Sequence, residues 1–562
     1  MFIKEILIIF LYFFIFGDKI FSKENPIRIN QIGYLPNSKK ISFLAIREDF
    51  DNNKFFNFYV KDKSQKTVFK GEVKLYNSKD TASGEKIYIL DFSELETPGS
   101  YYIELEDFKS YDFVISSTVY REVLDLLLLG FYFQRCGEEV KYNEFSHGIC
   151  HIRDKEAVIF GTNITKDVSG GWHDAGNYEK YVTPTAISCW YLLTTYEVFH
   201  KKLPNSIKQR LITEIKHALK WLIKMQDESD GGVHHSVVVK DWSYWPSLPE
   251  DHTDLRIIAP KSIFATYNFA SIFAKASYVF KNIDKDFSKK CLNKALNAYN
   301  WVDNIYKEKF IKHYNKILET DAYEDSNEVD EQLLALCELY KATNNQKYHI
   351  KFLETLDKLG YKLSIPSWQD VKMLAIISYL LLEERFVNKE VKDILTQNFE
   401  SFVKTRASWI DSPRNGYKVA LYNSEYYWGS NGILGNISCL FVIFSIIKKN
   451  PKFSSYALEQ IHYLLGRNSL DKCFVSGCGK NSIKRHHYAL SVINKKIYPG
   501  FVSGGPNSEL SGDKLLDELI YKNIPIAKCF VDDENLDSTS WASNEPCILY
   551  NAPWVFVFSY FY

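Results

Sequence analysis

The stretch Ile433-Leu434-Gly435-Asn436-Ile437-Ser438-Cys439-Leu440-Phe441-Val442-Ile443-Phe444-Ser445-Ile446-Ile447 is apolar nearly all round a helical wheel. A helix of that kind belongs inside a protein, with no face left for water. Its neighbours in the chain read differently. Ile207, Leu211, Ile215, Ala218, Leu222 and Met225 recur at three and four, which makes one apolar stripe on a helix. Segments 119–134, 183–199, 262–280, 286–305, 328–343, 371–383 and 452–465 read as further helices. Amphipathic outer helices around fully buried inner ones predict a double ring over residues 118–562. The loops between them are long and rich in Gly, Pro, Trp and Asp, and long loops on a rigid scaffold are where function concentrates.

Ahead of the helices the period changes. Between about Pro26 and Ser116, runs such as Phe55–Val60, Lys86–Leu90 and Tyr101–Leu105 alternate, separated by turns such as Thr97-Pro98-Gly99-Ser100. About seven short strands in this span predict a β-sandwich over 26–116. The first residues, Met1-Phe2-Ile3-Lys4 followed by an apolar run from Ile6 to Phe16, read as a signal peptide over 1–23. The run is short for a membrane span, although an uncleaved anchor is the alternative reading. The expected location is therefore secreted, extracellular or periplasmic.

At 562 residues the chain exceeds one ordinary core. Lys plus Arg equals Asp plus Glu, 69 each, so no net positive field attracts nucleic acid or an anionic membrane. Aromatic residues reach 16%. Coding bias explains much of that, and stacking surfaces for sugar rings are the functional reading. Ten cysteines are spread thinly, and Cys189, Cys337 and Cys439 sit in apolar helical patterns, as buried thiols do.

Three loop constellations carry candidate chemistry. In Ser169–Tyr181, glycines flank Trp172, His173 and Asp174, which is compatible with a tight turn or an acid-bearing site. In Trp541–Ala552, Glu545 lies among apolar residues, where desolvation raises a carboxyl pKa toward general-acid use; a buried ion pair is the plainer alternative. The third comprises Leu464–Asn468, Phe474–Gly479 and Arg485-His486-His487.

Taken in chain order, Gly171-Trp172-His173-Asp174-Ala175-Gly176, Trp428-Gly429-Ser430-Asn431, Leu465-Gly466-Arg467-Asn468, Gly504-Gly505-Pro506-Asn507 and Ser543-Asn544-Glu545 resemble the family 9 glycoside hydrolases. The opening Ile27–Pro36 looks like their N-terminal immunoglobulin-like domain. The resemblance implies a mainly α fold, an (α/α)6 barrel preceded by a small immunoglobulin-like β-sandwich, and hydrolysis of β-1,4-glucan with inversion. It implies Glu545 as general acid and Asp174 as a group holding the attacking water. His486, Trp428, Tyr488 and Trp541 are the positions expected to meet substrate.

Three departures from the family pattern touch the cleft. The principal base position is Asn177, whose amide holds water but takes no proton. Tyr488 replaces an arginine. The segment from Asp532 to Trp541 is longer by about four residues than the resemblance implies.

Cys136, Cys150, His151 and His173 offer two thiolates and two imidazoles, a set suited to tetrahedral zinc. A Cys136–Cys150 disulfide is the alternative. Similar ligands occur in immunoglobulin-bearing members of the family that the chain resembles. Ser326, Asp330, Glu331 and Asp370 resemble a calcium site in some of those members, with helix capping by Asp330 and Glu331 as the alternative. The function expected is a secreted inverting hydrolase of β-1,4-glucan or a related β-linked oligosaccharide. The alternatives are a degenerate barrel that binds glycan without turnover and an exo-acting glucosidase or glucosaminidase.

Overall fold

The computed structural model describes residues 25–46, 56–308 and 317–562. The expected signal segment, 1–23, lies outside them. Twelve long helices build the barrel: α1 (Arg121–Phe133), α2 (Val182–Phe199), α3 (Asn205–Met225), α4 (Ile263–Val279), α5 (Lys285–Glu308), α6 (Val329–Thr343), α7 (Gln346–Leu359), α8 (Lys372–Leu380), α9 (Lys389–Ile410), α10 (Ser430–Lys448), α11 (Pro451–Leu464) and α12 (Ile548–Tyr560). Helices α2, α4, α6, α8, α10 and α12 form the inner ring, and α12 closes it against α2. The first helix, α1, packs outside the last one, α12, so the barrel is sealed by joining the two ends of the helical region.

The ring position of each helix follows its sequence. Leu211, Ile215, Ala218, Leu219 and Leu222 of α3 are buried, while its other face carries charge. Helix α10 has a mean hydropathy of 1.8 over its most apolar window and, by length and composition, would suit a membrane. It is instead a core helix, with Leu440, Phe441, Val442, Ile443 and Phe444 all buried in the inner ring. Small residues let the inner helices meet. A side chain at Gly435 would collide with the Trp554 indole of α12 at 2.8 Å.

Among the described residues the N-terminal unit is a β-sandwich of nine strands, β1 (Ile27–Arg28), β2 (Gly33–Tyr34), β3 (Ile41–Ile46), β4 (Asn57–Asp62), β5 (Thr67–Asn77), β6 (Lys86–Asp91), β7 (Gly99–Leu105), β8 (Phe108–Lys109) and β9 (Phe113–Ile115), in the order β1-β3-β6-β5-β4-β7-β9-β2, with β8 paired to β7. Strand β5 (Thr67–Asn77) belongs to both sheets. Its first half pairs with β4 (Asn57–Asp62), and its second half pairs with β6 (Lys86–Asp91). Strand β3 (Ile41–Ile46) is buried throughout because both its faces have partners. Leu44 and Ile46 point into the sandwich core, whereas Ile41, Phe43 and Ala45 pack against the barrel. Period-two alternation therefore serves two cores at once.

The two units are also bolted by polar contacts. The Gln31 side chain accepts from the backbone N–H groups of Lys480 and Asn481 and donates to the Asp471 carbonyl. Leu465, in the Leu465–Asn468 motif, accepts from the Gln31 N–H, and buried Arg467 pairs with Glu459. That motif fastens sandwich to barrel.

Candidate active site

At the loop end of the barrel a five-stranded sheet joins distant segments in the order 165–166, 157–159, 257–258, 236–238, 180–181. The pairing of Lys180 with Val237 anchors the turn that carries Asp174 and Asn177. The turn is closed by the Asp174 N–H donating to the Glu179 carbonyl at 3.0 Å. Gly176 is required by close approach, since a Cβ there would lie 1.9 Å from the His487 carbonyl oxygen.

Glu545 meets this turn from the opposite end of the chain. Its Oε1 accepts the Gly176 N–H at 3.1 Å, and the Ile548 N–H donates to the Asp174 carbonyl at 3.0 Å. Glu545 is held by a frame built from the other motifs. Gly504 and Gly505 donate their N–H groups to the carbonyls of Glu545 and Ser543. The Asn431 amide donates to Ser503, and the Asn507 amide donates to Ala542. Residues far apart in sequence thus fix the backbone that carries the Glu545 carboxyl group.

Burial sets the electrostatics. Glu545 has its pKa pushed well above the ordinary value, by burial first and then by the charges of Asp174, Glu179 and Asp513, with the Gly176 N–H opposing. Burial also raises Asp174, to about 7; the Tyr323 hydroxyl, donating to its Oδ2 at 2.6 Å, opposes that shift, and the Glu179 charge adds to it. The second Asp174 oxygen and the Asn177 amide oxygen are buried with no partner. Both suit a water molecule.

Aromatic rings surround the acids. Trp428 is 44% exposed and meets Trp541 at 4.8 Å. Trp368 packs edge-on against Tyr323. Trp245 stacks on the His487 imidazole at 4.3 Å and 19°. Trp428 is exposed and the other three indoles are half-buried, and flat rings with an open face suit sugars. Trp245 lies on a long loop, 239–256, between two paired strands of the five-stranded sheet.

Behind the Asp174 turn, Cys136, Cys150, His151 and His173 converge, all buried, with their donor atoms within 4.8 Å of one another. His173 Nε2 is 3.3 Å from His151 Nδ1; Cys136 Sγ is 3.6 Å from His151 Nδ1; and Cys150 Sγ is 3.9 Å from His173 Nε2. Both cysteines are free thiols, so the Cys136–Cys150 bridge is not formed here. Burial opposes ionisation of Cys136, but the Cys150 thiol and the Lys180 ammonium more than offset it and hold its pKa well below the usual thiol range. Lys180 also pairs with buried Asp154 at 2.6 Å. Lys180 lies six residues after Asp174, so the cluster and the acid turn share one short segment.

A second acidic group gathers under α6 and α8. Asp330 Oδ2 accepts the Val371 N–H at the start of α8. Burial, with Asp370 and Asp325 nearby, raises the Asp330 pKa to about 7, and burial beside Asp330 and Asp325 raises Glu331 well above its ordinary value. Both Glu331 oxygens and one oxygen each of Asp330 and Asp325 are buried without partners.

The sequence profile described as Glycosyl hydrolase family 9 matches residues 120–558. The chain belongs to glycosyl hydrolase family 9. The profile described as Cellulase N-terminal ig-like domain matches residues 22–110. A cellodextrinase of Butyrivibrio fibrisolvens is 30% identical, covering 94% of this chain and 98% of that relative. Endoglucanase D of Acetivibrio thermocellus is 29% identical over 86% of this chain and 78% of its own length. Among solved structures, a zinc-binding triple mutant of a family 9 endoglucanase superposes with a TM-score of 0.85 at 28% identity, covering 94% of this chain and 99% of that one. This family 9 protein is accordingly a cellulase-like hydrolase of O-glycosyl bonds, and the expected (α/α)6 barrel behind a β-sandwich is its fold.

The structure brings Asp174, Asn177, Glu545, Trp428 and Trp541 to the mouth of the family 9 barrel, whereas the Tyr488 ring, expected to meet substrate, turns inward. It is fully buried among Tyr498 and Phe501, and its hydroxyl donates to the Phe133 carbonyl. Tyr488 is thus part of a small apolar core. His486 is also buried, edge-on to Phe501, with both ring nitrogens lacking a protein partner. The neighbouring His487 is the one beside the turn, its Nδ1 within 2.8 Å of Thr539 Oγ1. Arg485 is directed at the Asp537 carbonyl in the extended 532–541 segment. Of the calcium candidates, Ser326 is exposed, and Asp325 joins the acidic group instead. Tyr323 and Trp245 carried no sequence signal beyond residue type in an aperiodic loop, whereas His487 lay in the third constellation without an assigned role.

Proposed function

We propose that the chain cleaves β-1,4-glucan chains, or related β-linked oligosaccharides, with inversion. The observation that carries this reading is the joining of Glu545 Oε1 to the Gly176 N–H of the very turn that holds Asp174. It sets a carboxyl with a strongly raised pKa against a second carboxylate across one aromatic-walled site. Glu545, whose burial favours the protonated form, gives its proton to the leaving oxygen. Asp174 accepts the proton of the attacking water, and Asn177 orients that water through its free amide oxygen. The cellodextrinase and endoglucanase relatives support the substrate class. Reducing-sugar release from a soluble β-glucan, set against a Glu545→Gln control, tests it. Binding of the glycan with no release by wild type would favour the degenerate barrel.

Asp174 carries the acid limb of the pH profile. Its pKa of about 7 means that it is fully ionised, and able to act as base, only above that value. The limb should therefore rise through about pH 7. Tyr323→Phe removes the hydrogen bond that favours the ionised form, so the limb should move to higher pH. A kcat/KM profile of the two proteins measures this, and an unmoved limb would take Asp174 out of the base role.

The Cys136, Cys150, His151 and His173 set suits zinc. A tetrahedral zinc with bonds of about 2.0–2.3 Å holds its ligand atoms roughly 3.3–3.8 Å apart, close to the separations of 3.3, 3.6 and 3.9 Å found here. The ion would tie His173, and so the Asp174 turn, to α1 and the 150–151 segment. Metal analysis of purified protein should find about one zinc per chain, and Cys150→Ser should lower the Tm, since bound metal adds folding free energy. A Cys136–Cys150 disulfide found by mass spectrometry would remove the site. The unpartnered oxygens of Asp325, Asp330 and Glu331, with Asp370 nearby, suit calcium; added calcium should raise the Tm of wild type and leave Asp330→Asn unchanged. A secreted location fits a polymeric substrate and the apolar N-terminal run.

A further inference from the structure

The loop 239–256 bears the rings that wall one side of the site, and one of its residues reaches the metal-type cluster. His252 Nδ1 lies 3.0 Å from Nε2 of His151, and His252 Nε2 lies 3.1 Å from Oδ2 of Asp254. Both histidine side chains are buried. The Tyr244 ring stacks on His252 at 4.1 Å and 26°, and the Tyr244 hydroxyl donates to Glu179 Oε2 at 3.0 Å. The next residue, Trp245, stacks on His487. The loop is further held by the Tyr178 hydroxyl donating to the Ser247 carbonyl at 2.6 Å.

The proton order along this line is forced by chemistry. The Asp254 carboxylate only accepts, so His252 Nε2 carries the hydrogen. In the neutral imidazole Nδ1 then keeps its lone pair and accepts from His151 Nε2–H. That leaves the lone pair of His151 Nδ1 directed at Cys136 and His173, the orientation that a metal ligand needs. Seen from the other end, a cation on Nδ1 drives the His151 proton onto Nε2 and strengthens the bond to His252. Linkage makes the two effects equal: what the loop does for the metal, the metal does for the loop.

We propose that His252 and Asp254 are positioning residues that orient the ligand His151, and that through them the bound metal holds the aromatic loop 239–256, with Trp245, in place at His487. This rests on the zinc reading above. The cluster then does more than stiffen the Asp174 turn; it also shapes a sugar-binding wall.

The test uses the full chain with zinc alone as probe. Zinc affinity is measured by competition with a chromophoric chelator for wild type, Asp254→Asn and His252→Phe. The phenylalanine keeps a ring against Tyr244 and removes the acceptor nitrogen. Both variants should bind zinc more weakly, His252→Phe by roughly 10–100-fold. Hydrogen exchange of peptides covering 239–256 should quicken when zinc is stripped from wild type, with α10 unchanged. In His252→Phe loaded with zinc it should already be fast, and KM for cellooligosaccharides should rise more than kcat falls. Wild type that takes up no zinc would sink the metal reading and this inference together. Wild type that binds zinc, with His252→Phe binding it equally and the loop exchange indifferent to metal, would overturn this inference and leave the metal reading standing.

Discussion

Replacing Glu545 with glutamine is expected to lower kcat on cellooligosaccharides by roughly 10²–10⁴-fold. Glutamine keeps the size of the side chain and its contact with the Gly176 N–H, so the fold is preserved while the proton is lost. A sugar hydroxyl is a poor leaving group and departs slowly without that proton. The variant should be no less stable than wild type near neutral pH. Glu545 has a folded-state pKa well above its unfolded value, so stability falls as pH rises through that window, and the amide removes the dependence. Steady-state rates on one defined oligosaccharide, with a melting curve beside them, check both parts. Turnover equal to wild type would exclude Glu545 from the reaction.

The water side of the reaction should be as sensitive. Asp174→Asn removes the carboxylate assigned the water's proton, and kcat/KM should fall by roughly 10²–10⁴-fold. Asn177→Asp should act in the opposite sense, raising kcat/KM by up to roughly 10²-fold. That gain should depend on pH. Asp174 has its pKa raised to about 7 by burial, with the Glu179 charge adding to it, and a further carboxylate at position 177, next to Gly176, would keep one of the pair protonated in mild acid. The increase is therefore expected above pH 8 and should shrink toward pH 6. A slower Asn177→Asp at every pH, with a fast wild type, would mean that the asparagine is itself the adapted residue.

The double ring was legible because burial leaves a mark on composition. A helix with Phe441, Val442, Ile443 and Phe444 in succession has no polar face and can only be central. The acid turn was legible for a different reason: Gly176 is required by close approach to the His487 carbonyl, and Glu545 stands out as an acid among apolar residues. What was not legible depended on the direction of a side chain. Tyr488 occupies a motif position in the sequence, yet its ring turns inward because Tyr498, Phe501 and Phe133 offer an apolar socket. His486 and His487 are adjacent and indistinguishable by type, and only the backbone decides which one meets Trp245. Tyr323 lies in a stretch with no period, and its role follows from one hydrogen bond to Asp174 across 149 positions of sequence. His252 gave no signal either, since a lone histidine in a loop acquires meaning only from the nitrogen that it faces.

The most direct test of the account is the configuration of the first product. Wild type is mixed with a β-1,4-linked cellooligosaccharide, and the anomeric proton of the newly released reducing end is followed by NMR before mutarotation equalises the forms. Attack by a water held at Asp174 and Asn177, on the face opposite Glu545, predicts that the α anomer appears first, and that Asp174→Asn and Glu545→Gln release almost none. A β anomer appearing first, or no product from a wild type that still binds the sugar, would contradict it.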